Sequence, residues 1–576
     1  MSLIRAAGLV GLLSLGCGQE PSNKPGGSAG SSGQSTTGGQ SGQAAGGAGG
    51  AAGGGDSAMA GAAMNGGTGG TTGGGGSNGG GGGSGPAQPM FPKLIDDCDA
   101  AAAHERADAA LASMLVNFWS GTEQYLYATS NPGAVTGYWT YAQAFDALLD
   151  GVERTGSLRY RGMIRSFFEG RAERGWLVDY FDDESWMTLA LLRAYDLTGE
   201  QLYLEQAETI FQDIMAAWDT TCCGEHLGGI WWNRQHQQKA TASNAGPVIA
   251  GVRLTARTNK PEYLEFAEQT YQFWWDHMVN QETYAIYDHL NPDGTRAPGA
   301  LTYNHGIMIG AALELHAAMQ EEHFLTEAHG FGEYLSTEAT RDSDVGPLLH
   351  DAIGQSCDGD CPAWKGIGYR YLAELYRKDP TKAQYREVLT AGATGIWTLA
   401  RNPESNFFAT NWAGPAPTIG GIEEQGSAVM ALNQYAMLCG STGAAVTTPG
   451  RYEAEEGWLD HVALESQYTG FSGFGYVAAF GDDEQAVTFY VDVAAAGAYR
   501  AEFTYSAAAG NAVRTVLVND TPVAPSQALA STGAWDAWAI SSTSLTLPTG
   551  PSTITLAYAN GSSGSVNLDR LDLVPE

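Results

Sequence analysis

The chain has 576 residues, too many for one ordinary hydrophobic core, so two or three folded units are expected. Hydrophobic residues make up 43% and aromatics 10%, enough to fill such cores; the 15 Trp and 26 Tyr also supply rings that stack on sugar faces, although most rings in a protein serve as core. A formal net charge of −34 excludes a basic face for nucleic acid or anionic membrane, and by itself favours no substrate.

The chain opens MSLIRAAGLVGLLSLGCGQE, in which one Arg precedes an apolar run from Ala6 to Leu15. That run is too short to span a bilayer and reads as an export signal over residues 1–17. Cys17, after Ser14-Leu15-Gly16, resembles the lipidated Cys of a bacterial lipobox, although Ser14 stands where that motif usually has Leu. A lipid anchor through Cys17 is therefore expected, with simple secretion as the alternative. Residues 18–88 are rich in Gly and Ser and cannot bury enough apolar area to offset their ordering entropy; they read as a flexible tether.

From residue 91 to residue 440 the pattern becomes long and amphipathic. In DDESWMTLALLRAYDLTGE, Trp186, Leu189, Ala190, Ala194 and Leu197 recur at helical spacing. A repeat lies underneath: Tyr203, Tyr263, Phe324 and Tyr385 follow one another at intervals of 60, 61 and 61 residues, with Tyr160 joining the series 43 residues earlier. A helical hairpin repeating at that length makes an open solenoid or a closed ring. About 350 residues at about 60 per hairpin gives about six hairpins, the count of an all-α (α/α)6 barrel.

Besides Cys17 there are six cysteines, an even number in a chain expected to be exported, which favours disulfides over metal ligation. Cys357 and Cys361 can close a small loop, and Cys98 with Cys439 can staple the ends of the helical region, among 15 possible pairings. Residues 441–450 form a second linker. From 451 to 576 the period turns to alternation, as in Ala486–Val493, Thr515–Val518 and Ser552–Leu556, which predicts an all-β jelly-roll or β-sandwich module able to fold alone.

Phe181-Asp182-Asp183-Glu184-Ser185-Trp186 sets adjacent carboxylates at the start of a predicted helix. Acids favour helix starts for capping alone. What singles out this pair is its company of Trp176, Tyr180, Phe181 and Trp186. Neighbouring acids can present carboxyl groups about 5–5.5 Å apart, the spacing of a retaining glycosidase, and repulsion among apolar rings pushes their pKa values apart.

Six stretches then carry a resemblance over Asn117–Asn433: YWTYAQAFDALLDG, YFDDESWMTLALLRAYDLTG, GGIWWN, LTYNHGIMIGAALEL, WKGIGYRYL and EEQGSAVMAL. In order and spacing the chain resembles glycoside hydrolase family 76, the α-1,6-mannanases. The resemblance implies an (α/α)6 barrel and a retaining endo-acting mechanism, with Asp182 as nucleophile and Asp183 as acid/base. It also implies a groove lined by Trp139, Gln143, Trp231, Trp232, Asn233, Asp288, Tyr303, Asn304 and Lys365. Asn304 can equally be a plain helix N-cap. His305 stands where the family usually has Gln.

The C-terminal module resembles carbohydrate-binding modules of families 6 and 35, through Tyr452-Glu453-Ala454-Glu455, Gly475-Tyr476-Val477 and Val566-Asn567-Leu568-Asp569. That resemblance implies a structural Ca²⁺ on Glu453, Glu455 and Asp569, an ion that suits hard oxygen ligands. It also implies sugar contacts from Asn567 and an exposed ring, Tyr476 or Trp535, with Trp538 in the core. The alternative for Glu453 and Glu455 is an ordinary polar edge strand. The expected partner is an α-mannan-type polysaccharide, the expected state a monomer at the cell surface, and catalysis needs no cofactor. Transglycosylation and glycan binding without turnover are the other functions compatible with these residues.

Overall fold

The computed structural model describes residues 90–156, 160–299, 301–351, 357, 360–442 and 450–576. The predicted signal, Cys17, the Gly/Ser tether and most of the second linker lie outside the described residues.

Among the described residues twelve α-helices follow one another: α1 (Ala100–Phe118), α2 (Tyr138–Thr155), α3 (Arg161–Ala172), α4 (Phe181–Thr198), α5 (Gln201–Ala216), α6 (Thr241–Thr258), α7 (Pro261–Met278), α8 (Thr302–Met319), α9 (Glu322–Thr337), α10 (Cys361–Lys378), α11 (Ala383–Thr398) and α12 (Ile422–Leu438). The even-numbered helices form a closed inner ring, each packing on the next and α12 returning to α2. The odd-numbered ones lie outside, so the domain is an (α/α)6 barrel. Sequence pattern follows position. Outer α5 buries only the stripe Tyr203, Leu204, Ala207, Ile210, Phe211 and Ile214, whereas inner α2 is buried along its whole length. The periodic aromatics each take the third position of an outer helix, at Tyr203, Tyr263, Phe324 and Tyr385, all buried, and Tyr160 precedes α3. Inner α2, α4, α6 and α8 stop at residues in the left-handed conformation, Gly156, Gly199, Asn259 and Gln320. A Cys98–Cys439 disulfide joins the residues flanking α1 and α12.

Because outer helices run back between them, all six inner helices point the same way. Their C-terminal halves are bolted by buried charge. Arg193 of α4 meets Asp146, Asp150 at 2.8 Å and Glu153 at 2.7 Å, all on α2. Arg370 of α10 reaches the same Asp146 and Asp150 from across the ring. Burial pushes Asp146 up, but the two guanidinium groups push it down harder, and its carboxyl titrates below the ordinary value.

Residues 451–576 form two antiparallel sheets. One runs Ala463–Glu465, Tyr476–Phe480, Val566–Pro575, Gly497–Ser506, Ala539–Leu547, with Arg451–Glu453 also on Val566–Pro575; the other runs Thr521–Leu529, Ala512–Val518, Gly550–Ala557, Ala486–Val493, Trp458–Asp460. Ser552, Ile554 and Leu556 are buried alternately, the period-two pattern of a strand with one face on the core. This β-sandwich is seated directly on the barrel. Leu459 N–H donates to Ser166 Oγ of α3 at 2.8 Å, and the Trp119 indole donates to Val462 O at 3.3 Å. Gly162 of α3 lies so close that a Cβ there would fall 2.1 Å from the Gly457 carbonyl carbon.

Candidate active site

The N-terminal ends of the inner helices meet at the other end of the barrel. Trp139 Nε1 at the start of α2 donates to Asp360 Oδ1 at the start of α10, at 3.1 Å. Thr140 of α2 donates to Glu423 Oε1 of α12 at 3.2 Å, and Ser427 of α12 accepts the Gly366 N–H of α10. Aligned helix dipoles make such a mouth hospitable to negative charge.

Asp182 and Asp183 occupy the first turn of α4 and are both buried, at 0% and 9% exposure. The two carboxyls are held differently. Asp182 Oδ2 accepts the Trp232 indole N–H at 2.9 Å, and its Oδ1 accepts the Asp183 backbone N–H at 3.0 Å. Burial raises both pKa values above the ordinary range. For Asp182 those two N–H donors pull back toward the charged form, while for Asp183 repulsion from Asp182, Asp360 and Glu184 adds to burial and Arg171 offsets only part. A proton shared by the pair therefore resides on Asp183. Glu184 turns away to Arg234 at 2.6 Å and to the Val178 N–H, yet burial still pushes it up to about 8.

Trp232 comes from the loop between α5 and α6. Gly228 (φ 136°) and Gly229 (φ 89°) shape that loop, and a Cβ at either would fall within 2.7 Å of the Phe273 ring. Trp232 also packs against Tyr180, 4.8 Å between centroids, and its carbonyl accepts the Phe181 N–H that opens α4. Trp231 instead stacks on His236 at 4.7 Å, with the Lys239 ammonium 5.0 Å from its ring, and Asn233 bonds Gln237.

Asp288, Tyr303 and Asn304 form one cluster: Asp288 Oδ1 accepts the Tyr303 hydroxyl at 3.0 Å and Asn304 Nδ2 at 2.9 Å. Asn304 is thus no N-cap; Leu301 holds that place, and Asn304 Oδ1 is buried without a partner, as is Gln143 Oε1. Unsatisfied buried oxygens of this kind are spare hydrogen-bond acceptors. Lys365 is buried over the Trp412 ring at 5.6 Å, where Asp351 and Glu424 only partly offset the lowering of its pKa by burial. His305 faces outward, stacked on Tyr334 of α9 at 4.4 Å with both ring nitrogens 3.2 Å from backbone carbonyls.

Sequence reasoning missed Asp360 and Glu423, which burial raises to about 6 and about 8. Asp360 had a legible signal: it immediately precedes the Cys361-Pro362 helix start.

In the sandwich, Ser472 Oγ donates to Glu453 at 2.6 Å and its N–H to Asp569 at 2.7 Å, while Glu455 accepts the Phe474 N–H at 2.9 Å. Glu455 is fully buried in a short 3-10 turn and so is not a solvent-facing edge-strand residue, whereas Glu453 ends the strand Arg451–Glu453 and is half-buried. Its Oε2 has no partner, and burial together with Glu456 and Glu453 raises its pKa. Asp569 pairs with Arg570, and among the described residues no group of three or more His, Cys, Asp or Glu stands spaced to hold a metal as the side chains lie. Tyr476, predicted to be exposed, is buried, because Tyr468, Phe471 and Trp538 close around it at 5.5–6.2 Å. Trp538, predicted to be core, is only half-buried and donates to Thr469 O, as Trp535 is half-buried nearby; Asn567 is buried.

The Glycosyl hydrolase family 76 profile matches residues 102–448, and that of Carbohydrate binding module (family 35) matches residues 450–576. A mannan endo-1,6-alpha-mannosidase of Candida glabrata is 24% identical over 368 residues, 55% of this chain and 77% of that protein. An isomaltosyltransferase of Sporosarcina globispora is 37% identical over 125 residues, 22% of this chain; the chain spans only 11% of that enzyme's length. Among solved structures, an alpha-1,6-mannanase of Salegentibacter sp. HEL1_6 is 25% identical with a TM-score of 0.53, covering 58% of this chain and 99% of that one. It is an inactive variant, with two adjacent aspartates changed to asparagine, in complex with alpha-1,6-mannotriose.

Proposed function

The chain belongs to glycosyl hydrolase family 76 and is a glycoside hydrolase; on that premise we propose that it cleaves α-1,6-mannosidic linkages inside mannan-type polysaccharide with retention of configuration. The observation that carries this reading is the unequal treatment of Asp182 and Asp183. Asp182, held by two N–H donors, attacks the anomeric carbon while Asp183 gives its proton to the departing glycosidic oxygen. The glycosyl ester on Asp182 is then opened by a water that Asp183 deprotonates, which restores both groups. Trp139, Gln143, Trp232, Asp288, Tyr303 and Asn304 would hold sugar rings around this point, with Trp231, Asn233 and Lys365 further along the wall. The relatives named for α-1,6-mannan, and the inactive relative lacking two adjacent aspartates, support the linkage and the roles.

A transferase among the relatives motivates one further reading, in which a sugar hydroxyl in place of water opens the ester. Product sizing on linear α-1,6-mannan, with and without an acceptor sugar, separates the two. Short mannooligosaccharides of retained anomeric form are expected, and products lengthened by the acceptor would indicate transfer. No cleavage of this mannan under either condition would sink the proposal.

The β-sandwich would hold the polysaccharide near the barrel, using Asn567 and the half-buried rings Trp535 and Trp538 around Tyr476. Half-buried Glu453 and buried Glu455 and Asp569, with one orphaned oxygen on Glu455, have the donor chemistry of a Ca²⁺ site. An ion bound only by the folded protein at a hundredfold its Kd would add about 2.7 kcal/mol. Melting of the whole chain should therefore fall on chelation, and a melting temperature indifferent to chelator rules the ion out. Export and anchoring through Cys17 complete the proposal. Cys17→Ser should release the protein from the cell envelope, and a variant that stays anchored would sink the lipid anchor; among the described residues no helix is long and apolar enough to cross a membrane.

A further inference from the structure

Asp360 caps α10, and its neighbour Cys361 is disulfide-bonded to Cys357, with Pro362 in the first helical turn. The turn is thus restrained on both sides of the carboxylate. In the inner ring α10 stands opposite α4, separated from it by α6 and α8 one way and by α12 and α2 the other. Both helices carry their acids at the N-terminal end, so Asp360 faces Asp182 and Asp183 across the mouth. Trp139 fixes it there through the 3.1 Å indole hydrogen bond. Its charge acts on Asp182 and Asp183 of α4, Tyr303 of α8 and Glu423 of α12.

We propose that Asp360 is a positioning residue for the acid pair, a third carboxylate clamped across the mouth whose negative charge keeps the proton on Asp183. The inference rests on the roles assigned above to Asp182 and Asp183. The groups facing Asp183 are Asp182 and Glu184 on its own helix, Arg171 of α3, Tyr138 of α2, Tyr125, and Asp360. Of these Arg171 alone favours the charged form. Since burial lifts Asp360 itself to about 6, its repulsion is fully switched on only above that pH. That is the range in which the general acid must still hold its proton.

The test replaces Asp360 by Asn, which keeps the indole hydrogen bond and removes the charge. Two readouts are taken: the pH profile of kcat/KM on linear α-1,6-mannan, and the carboxyl carbon titration of Asp183 in protein labelled with ¹³C at the aspartate γ-carbon. Removing the repulsion lowers the pKa of Asp183, so the basic limb and the NMR midpoint should both move down by about one pH unit. Asp360→Glu, which restores the charge, should return both to within a few tenths of a unit. An Asp183 titration in Asp360→Asn that superimposes on the unaltered protein overturns the inference. Failure of the functional reading is distinguishable: an enzyme inert toward this mannan loses the first readout and leaves the second intact.

Discussion

The two ends of the helical barrel both bury carboxylates of the inner ring, on α2 at one end and on α4, α10 and α12 at the other, and treat them in opposite ways. Toward the C-terminal ends, Asp146, Asp150 and Glu153 are met by Arg193 and Arg370, and Asp146 titrates low. At the N-terminal mouth, indole and hydroxyl donors from Trp232, Trp139 and Thr140 stand in for cations beside Asp182, Asp360 and Glu423, and these acids titrate high. A donor without charge orients a carboxylate and offsets only part of the rise in pKa that burial causes. A guanidinium orients it and outweighs that rise. The contrast separates an end built to hold the ring together from an end built to move protons.

The largest expected effect lies at the mouth. Asp182→Asn and Asp183→Asn should each lower turnover at least about 10³-fold, roughly 4 kcal/mol of transition-state stabilisation, while the unfolding midpoint in urea stays or rises because a repelling charge is gone. Near-normal turnover in either variant, with unchanged circular dichroism, would break the comparison at its functional end.

The converse substitution tests the bolted end. Arg193→Met leaves Asp146, Asp150 and Glu153 buried with one cation fewer, and should cost about 3–5 kcal/mol of stability by urea denaturation. The protein that remains folded should keep its KM for mannan, since Arg193 lies three turns into α4 from the acid pair. Equal stability losses from Arg193→Met and Asp182→Asn would erase the distinction between the ends.

Smaller, and sharper, is the dependence on pH. Glu423 titrates at about 8 in the folded protein against about 4.3 in an unfolded chain. Its raised pKa favours the folded state fully below the lower value, and that contribution is lost as pH rises through about 8. Asp146 has the opposite sign: its lowered pKa stabilises above about 3.9 and is lost as pH falls toward its folded value. Glu423→Gln should hence raise the melting temperature by about 2 °C at pH 8 and leave it unchanged near pH 4.5. A shift of the same size at both pH values would mean that Glu423 acts through packing, not charge.

Much of this was written locally. Helical periodicity and the recurring Tyr203, Tyr263, Phe324 and Tyr385 carry the hairpin repeat, because a ring is buried at the same place in each of the outer helices α5, α7, α9 and α11. Alternation carries the strands of the sandwich, and the Asp182-Asp183 pair stands out by its aromatic neighbours. These are properties of residues a turn or two apart. What tertiary structure alone decided depends on side chains that meet across long stretches of chain. Asn304 looked like a helix cap until Asp288, sixteen residues earlier, was seen to take its amide. Tyr476 looked exposed until Trp538 closed over it from a later strand connection. Asp360 was only an acid beside a cysteine until ring closure set α10 opposite α4 and Trp139 reached it over 221 residues of sequence. Periodicity counts the helices and says which stripe each one buries. It does not say which residue stands across the mouth, since that contact exists only once the ring has closed.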